Sequence, residues 1–156
     1  GKINFIKMKN TYKKQFDYEF WANELTIKSI KESNQPDERI FKLISHVVAS
    51  HSIWMSIFKG EKPTIAGWDL MTLDECLERS KINHERFTEY LSDANQQELE
   101  RHIQFNFFDK DSKITIEDAM IHMINHSSYH RGQIIAGLKG KLKPLTTYIA
   151  YAKSDL

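Results

Sequence analysis

The residues best equipped for chemistry are histidines. The chain holds seven, and His122, His126 and His130 recur every fourth position within "HMINHSSYHRGQI", residues 122–134. On an ideal helix, positions four apart lie about 40° apart around the axis and one turn along it. His122 and His130 therefore flank His126 on one face. Ala119 and Met123 fall within about 60° of His126, so the group borders an apolar stripe. A histidine facing a core loses water as a partner for its ring nitrogens. Two imidazoles one turn apart can instead close on a metal ion.

A third ligand from another helix would complete a facial set and leave room for water or substrate. His46 fits that role. In "DERIFKLISHVVASHSIWMSIFKG" it lies with Leu43, Ile53 and Ile57 within about 60°, at the middle of an apolar stripe. His51 points about 140° away. His84 and His102 stand among polar residues and read as surface positions. The competing reading is packing, because single core histidines commonly serve as hydrogen-bonded packing residues and four-residue histidine spacings arise by chance.

Three neutral imidazoles would leave a divalent ion its full charge, which acidifies a bound water or thiol. Nitrogen donors suit zinc, nickel, iron or copper. Two reactions follow: hydrolysis by metal hydroxide, or attack of a metal-activated thiolate on an electrophile. Ser127, Ser128 and Tyr129 separate His126 from His130, so the glutamate of a zincin peptidase is missing. Cys76 sits in a charged segment with no histidine near it in sequence, which makes it a poor nucleophile. "DKDSK", residues 109–113, lacks the glycine and closing glutamate of a calcium loop. Arg131 and Gln133 can orient a substrate or a carbonyl, or simply serve the helix seam.

Positioning these groups requires long helices. The pattern predicts a first helix from about Met8 to Ser33, with Phe16, Phe20, Leu25, Ile27 and Ile30 on its apolar side and Trp21 beside them. The second spans residues 37–60 and stops at Gly60. The third starts at Thr72, where "TLDE" pairs Thr72 with Glu75 as a capping box. It carries Leu73, Leu77, Phe87 and Leu91. "RHIQFNFFDKDSKITI" alternates around a polar turn and predicts a short hairpin. The fourth helix begins after Thr115, with Glu117 and Asp118 in its first turn, and runs to Gly140. A short helix follows Pro144. Lys139, Lys141 and Lys143 favour a helix C-terminus through its dipole. These segments predict an all-α four-helix bundle. Residues 60–71 can span about 36–40 Å if extended, so helices two and three are free to run parallel.

Several quoted segments resemble the DinB/YfiT-like family of bacterial metal-binding four-helix bundles. "ISHVVASHSIW" and "HMINHSSYHRGQI" carry most of the likeness. "YEFWAN" resembles the family's Tyr-x-x-Trp-Ala-Asn start, and "KPLTTYIAY" its closing segment. The resemblance implies an up-down-down-up bundle. It places the first metal ligand on His46, eight residues before Trp54, and the other two on His126 and His130. His122, Tyr129 and Arg131 become supporting or alternate residues. His51 falls where members often carry glutamate, while Leu145 and Thr147 replace a usual proline and aspartate. The resemblance further implies a divalent ion, zinc or nickel first, a homodimer, and in some members transfer of a low-molecular-weight thiol such as bacillithiol or mycothiol to a small-molecule substrate. Other members have no assigned activity, so a non-catalytic metal-binding stress-response protein is the alternative, with a metal-dependent hydrolase behind it.

The remaining features set limits. Length suits one domain spanning 1–156. The 22 basic and 21 acidic residues leave a net charge of +1, which excludes the basic footprint of a nucleic-acid binder. One cysteine allows no internal disulfide and suits a reducing compartment. No apolar run of membrane-spanning length and no signal-peptide pattern are expected, so the expected location is cytoplasmic with no membrane partner.

Overall fold

The computed structural model of the protein describes residues 1–34, 36–139 and 143–156. It is mostly helical. The elements run α1 (Lys2–Glu32), α2 (Glu38–Lys59), α3 (Leu73–Asp93), α4 (Gln96–Glu100), β1 (His102–Phe107), β2 (Lys110–Thr115), α5 (Ile116–Gly137) and α6 (Tyr148–Ala152).

Helix ends follow local side-chain chemistry. Asp37 accepts the Arg39 amide and opens α2. Gly60 closes it at φ 68°, a left-handed geometry that glycine adopts without strain, while the Glu61 amide donates back to the Ser56 carbonyl at 2.9 Å. Thr72 and Glu75 form the expected reciprocal capping box. Thr115 accepts the Asp118 amide and starts α5.

Two boundaries and one added element differ from expectation. Helix α1 begins at Lys2 rather than Met8, because Phe5 reaches the core and stabilises an extra N-terminal turn. Helix α5 ends at Gly137; Leu138 turns extended and buries its side chain in the apolar cluster that includes Ile40 and Ile134. The predicted end at Gly140 lies outside the described residues, as does Lys141. Lys143 does reach the Ala136 carbonyl in the last turn, at 3.5 Å. Helix α4, capped by Asn95, was not anticipated; its five residues are too few for an apolar period. The hairpin is present, pairing His102 with Thr115 and Phe107 with Lys110. Its turn holds Phe108 and Asp109 at φ 48° and 64°.

The long helices pack as α1 on α3 and α5, and α2 on α3 and α5, with α1 and α2 touching lightly. Contacts between α1 and α3 run in opposite order: Lys9 meets Ala94, Phe16 meets Phe87, and Lys31 meets Asp74. Those between α2 and α3 advance together, from Ser45–Cys76 through Ser52–Asn83 to Phe58–Tyr90. One apolar cluster gathers Phe16, Phe20, Phe58, Phe87 and Met120, and a second gathers Ile27, Ile30, Ile40, Ile44 and Ile134.

Helix α2 corrects two expectations. It is long and apolar enough by composition to cross a membrane, with mean hydropathy 1.2 over its best window, yet 67% of that window is buried inside the protein. Moreover, His46 is not at the middle of its buried face. Because α2 packs on α3 and α5 together, burial extends through Ile44, Val47, Val48, His51 and Met55, leaving His46 half-buried at the border.

Candidate metal centre

The α2 and α5 helices bring His46, His126 and His130 together, with their ligating nitrogens all within 4.8 Å of one another. Ring centroids lie 4.8 Å apart for His46–His126, 5.0 Å for His46–His130 and 4.5 Å for His126–His130. All three rings are half-buried.

Hydrogen bonds select which nitrogens face the centre. The Nδ1–H of His46 donates to the Gly67 carbonyl at 2.6 Å, which leaves Nε2 as a lone pair. His130 pairs Nδ1 with the Gln133 side-chain oxygen at 2.8 Å, again freeing Nε2. Such partners on the far nitrogen are the usual support of a metal-binding imidazole. The Nε2 atoms of His46 and His126 stand 3.1 Å apart. Two nitrogens each about 2.0–2.1 Å from one tetrahedral zinc would be about 3.3 Å apart, so this pair is spaced as two ligands of a divalent cation, with the third nitrogen within 4.8 Å of both. Without an ion, that contact is satisfied when His126 donates to His46.

Electrostatics favour the neutral, ligating form. Burial depresses the His46 pKa, aided by His130 and opposed by the Gly67 bond. His126 is pushed down to about 4, first by burial and then by its three histidine neighbours. Near neutrality both keep their lone pairs free.

The remaining expected residues fall elsewhere. His122 is exposed, 5.3 Å from the His126 ring and 5.7 Å from Trp54, outside the trio. Tyr129 is 66% exposed and flanks His130. Arg131 departs from a supporting role at the trio. It is buried and donates to Glu19, Asn23 and Ser128, with Tyr18 stacked on its guanidinium. His51 joins that buried set: its Nε2 sits 2.7 Å from the Ser127 hydroxyl and 3.8 Å from Glu19. Burial, then Arg131 and His126, push His51 down to about 3. Burial also raises the Glu19 carboxyl against the pull of Arg131.

His84 is not a free surface residue, because Asp17 accepts from it at 2.8 Å and Phe20 packs on its ring. His102 is exposed, as expected. Cys76 is buried, its thiol pushed up by that burial, so it is no nucleophile. Sequence reasoning missed Gly67 and Trp68. They lie in a loop with no periodicity, and only an aromatic beside a glycine marked the place.

Comparison with known proteins places the chain in a family. The sequence profile of the DinB superfamily matches residues 31–134, which include all three histidines. The protein named Protein DinB from Bacillus subtilis (strain 168) is 28% identical over 144 residues, covering 81% of this chain and 83% of its own. No solved structure matches.

Proposed function

Because the chain belongs to the DinB superfamily, we propose that His46, His126 and His130 hold one divalent ion, zinc or nickel, and that the protein transfers a low-molecular-weight thiol to an electrophilic small molecule. The observation that carries this reading is the convergence of three imidazoles, two with the far nitrogen already tied to an oxygen acceptor. A bound divalent ion would acidify a thiol there and supply thiolate near neutral pH.

The chain's own residues do the rest. Gly67 and Gln133 fix the ring tautomers. Trp68 and Tyr129, both largely exposed, flank the open side and offer ring faces to a substrate. Thiol transfer is favoured over hydrolysis because no carboxylate joins the trio among the described residues. The nearby carboxylate of Glu19 is spent on Arg131. A thiol acidified by the ion needs no further base, whereas water activation gains from one.

The helix contacts support the family's up-down-down-up arrangement. The α1–α3 and α2–α5 pairs run in opposite order, whereas α2–α3 and α1–α5 advance together. A homodimer in a reducing cytoplasm completes the reading.

The test supplies metal-loaded protein with a panel of small thiols and with epoxide and haloaromatic electrophiles. The expected result is thioether formation that disappears in His130→Ala. Fully metal-loaded protein with no turnover across the panel would contradict transfer and leave a non-catalytic metal-binding protein.

A further inference from the structure

His46 differs from the other two ligands of the proposed centre because its support comes from a distant loop. His130 is held by Gln133 one turn along its own helix. His46 is held by residues 21 and 22 positions ahead, in the connection between α2 and α3. There the Ala66 amide donates to Asp69 Oδ2 at 2.8 Å and the Asp69 amide returns to the Ala66 carbonyl at 3.2 Å, closing a turn with Gly67 and Trp68 at its centre. The Gly67 carbonyl takes the Nδ1 proton of His46. The indole of Trp68 lies flat on the same imidazole, with centroids 3.7 Å apart and planes within 2°. Its other side is open, the residue being 59% exposed.

An imidazole at a half-buried helix position can rotate about two side-chain bonds and exchange tautomers. The carbonyl fixes the tautomer. A flat stacked indole restricts rotation of the ring, and its large face excludes water from the bond below. Core packing does not explain the tryptophan, since most of its surface remains in water.

We propose that Trp68 is a positioning residue: with the Gly67 carbonyl it clamps His46 in the Nδ1–H tautomer and aims Nε2 at the centre shared with His126 and His130. This rests on the metal reading above, and it ties ligand geometry to the order of the 60–72 loop.

The experiment compares wild type, Trp68→Ala, Trp68→Phe and, as a control, Leu70→Ala, which removes an exposed apolar side chain of the same loop. Zinc affinity is read by competition with a chelator. In metal-free protein, long-range proton–nitrogen NMR of the imidazoles reads the His46 tautomer. The expected result is about tenfold weaker zinc binding in Trp68→Ala, recovery to within about threefold in Trp68→Phe, and near-wild-type binding in Leu70→Ala. His46 should show one Nδ1–H tautomer in wild type and a mixture in Trp68→Ala, with the metal-free unfolding midpoint unchanged. Wild-type affinity and an unmixed tautomer in Trp68→Ala would overturn the clamp. A wild type that binds no zinc but loses its single tautomer in Trp68→Ala would uphold the clamp and overturn the metal reading.

Discussion

Two groups of polar residues share α5, and their charges and lone pairs are met in opposite ways. In the interior, Arg131 and Ser127 meet Glu19, Asn23 and His51 in a hydrogen-bonded network built around the Arg131–Glu19 ion pair, with Asn23 Nδ2 and His51 Nδ1 left without partners. Toward the border, His126 and His130 meet His46 and direct nitrogens at one another. The first group neutralises itself. The second is a set of lone pairs that only a proton or a cation can join. One helix therefore carries a structural network and a candidate ligand set a single residue apart, at Ser127 and His126. The lesson is that partner chemistry, more than burial, separates an internal support from a binding site.

The largest expected effect breaks the interior group. Arg131→Met leaves the Glu19 carboxylate buried without its cation and should lower unfolding free energy by about 3–5 kcal/mol. Denaturant unfolding checks this, and adding Glu19→Gln should restore part of the loss.

Acid comes next. His51 titrates near 3 in the folded state and near 6.5 when unfolded. Its neutral form is the one the fold accepts, so its contribution is complete above about pH 6.5. Between about pH 6.5 and 3 the unfolded chain takes up a proton that the folded chain refuses. Stability then falls by up to roughly 4 kcal/mol. His51→Gln should flatten that slope relative to wild type in unfolding curves measured across this range.

A smaller effect belongs to the border group. Zinc at about a hundred times its dissociation constant should stabilise wild type by about 2.7 kcal/mol. His130→Ala should lose this increment, while its metal-free stability stays within about 1 kcal/mol of wild type. Thermal unfolding with and without metal separates the two. Smallest of all, Gln133→Ala removes the acceptor on His130 Nδ1 and should weaken zinc binding about tenfold, or about 1.4 kcal/mol. Chelator competition reads it.

Part of this contrast was legible in the chain. The four-residue spacing of His126 and His130 places them together on any helix, and the capping box at Thr72 with the alternation after Arg101 marked α3 and the hairpin. His46 was found for a reason that needed amending. Angular spacing locates a residue relative to its own helix, whereas burial depends on how many neighbours that helix has. With α3 and α5 both packed on α2, the side opposite His46 is also interior, and that is where His51 went. The Arg131–Glu19 pair joins residues 112 positions apart, and the Gly67–His46 bond starts from an aperiodic loop. Neither follows from a local pattern.

The central claim is that the three converging imidazoles share a divalent ion, and metal analysis of protein purified without a histidine tag tests it most directly, with wild type beside His130→Ala. The account predicts about one tightly held ion per chain in wild type and its loss in the variant. Equal metal in both proteins, or none in wild type after incubation with zinc and nickel, would contradict it.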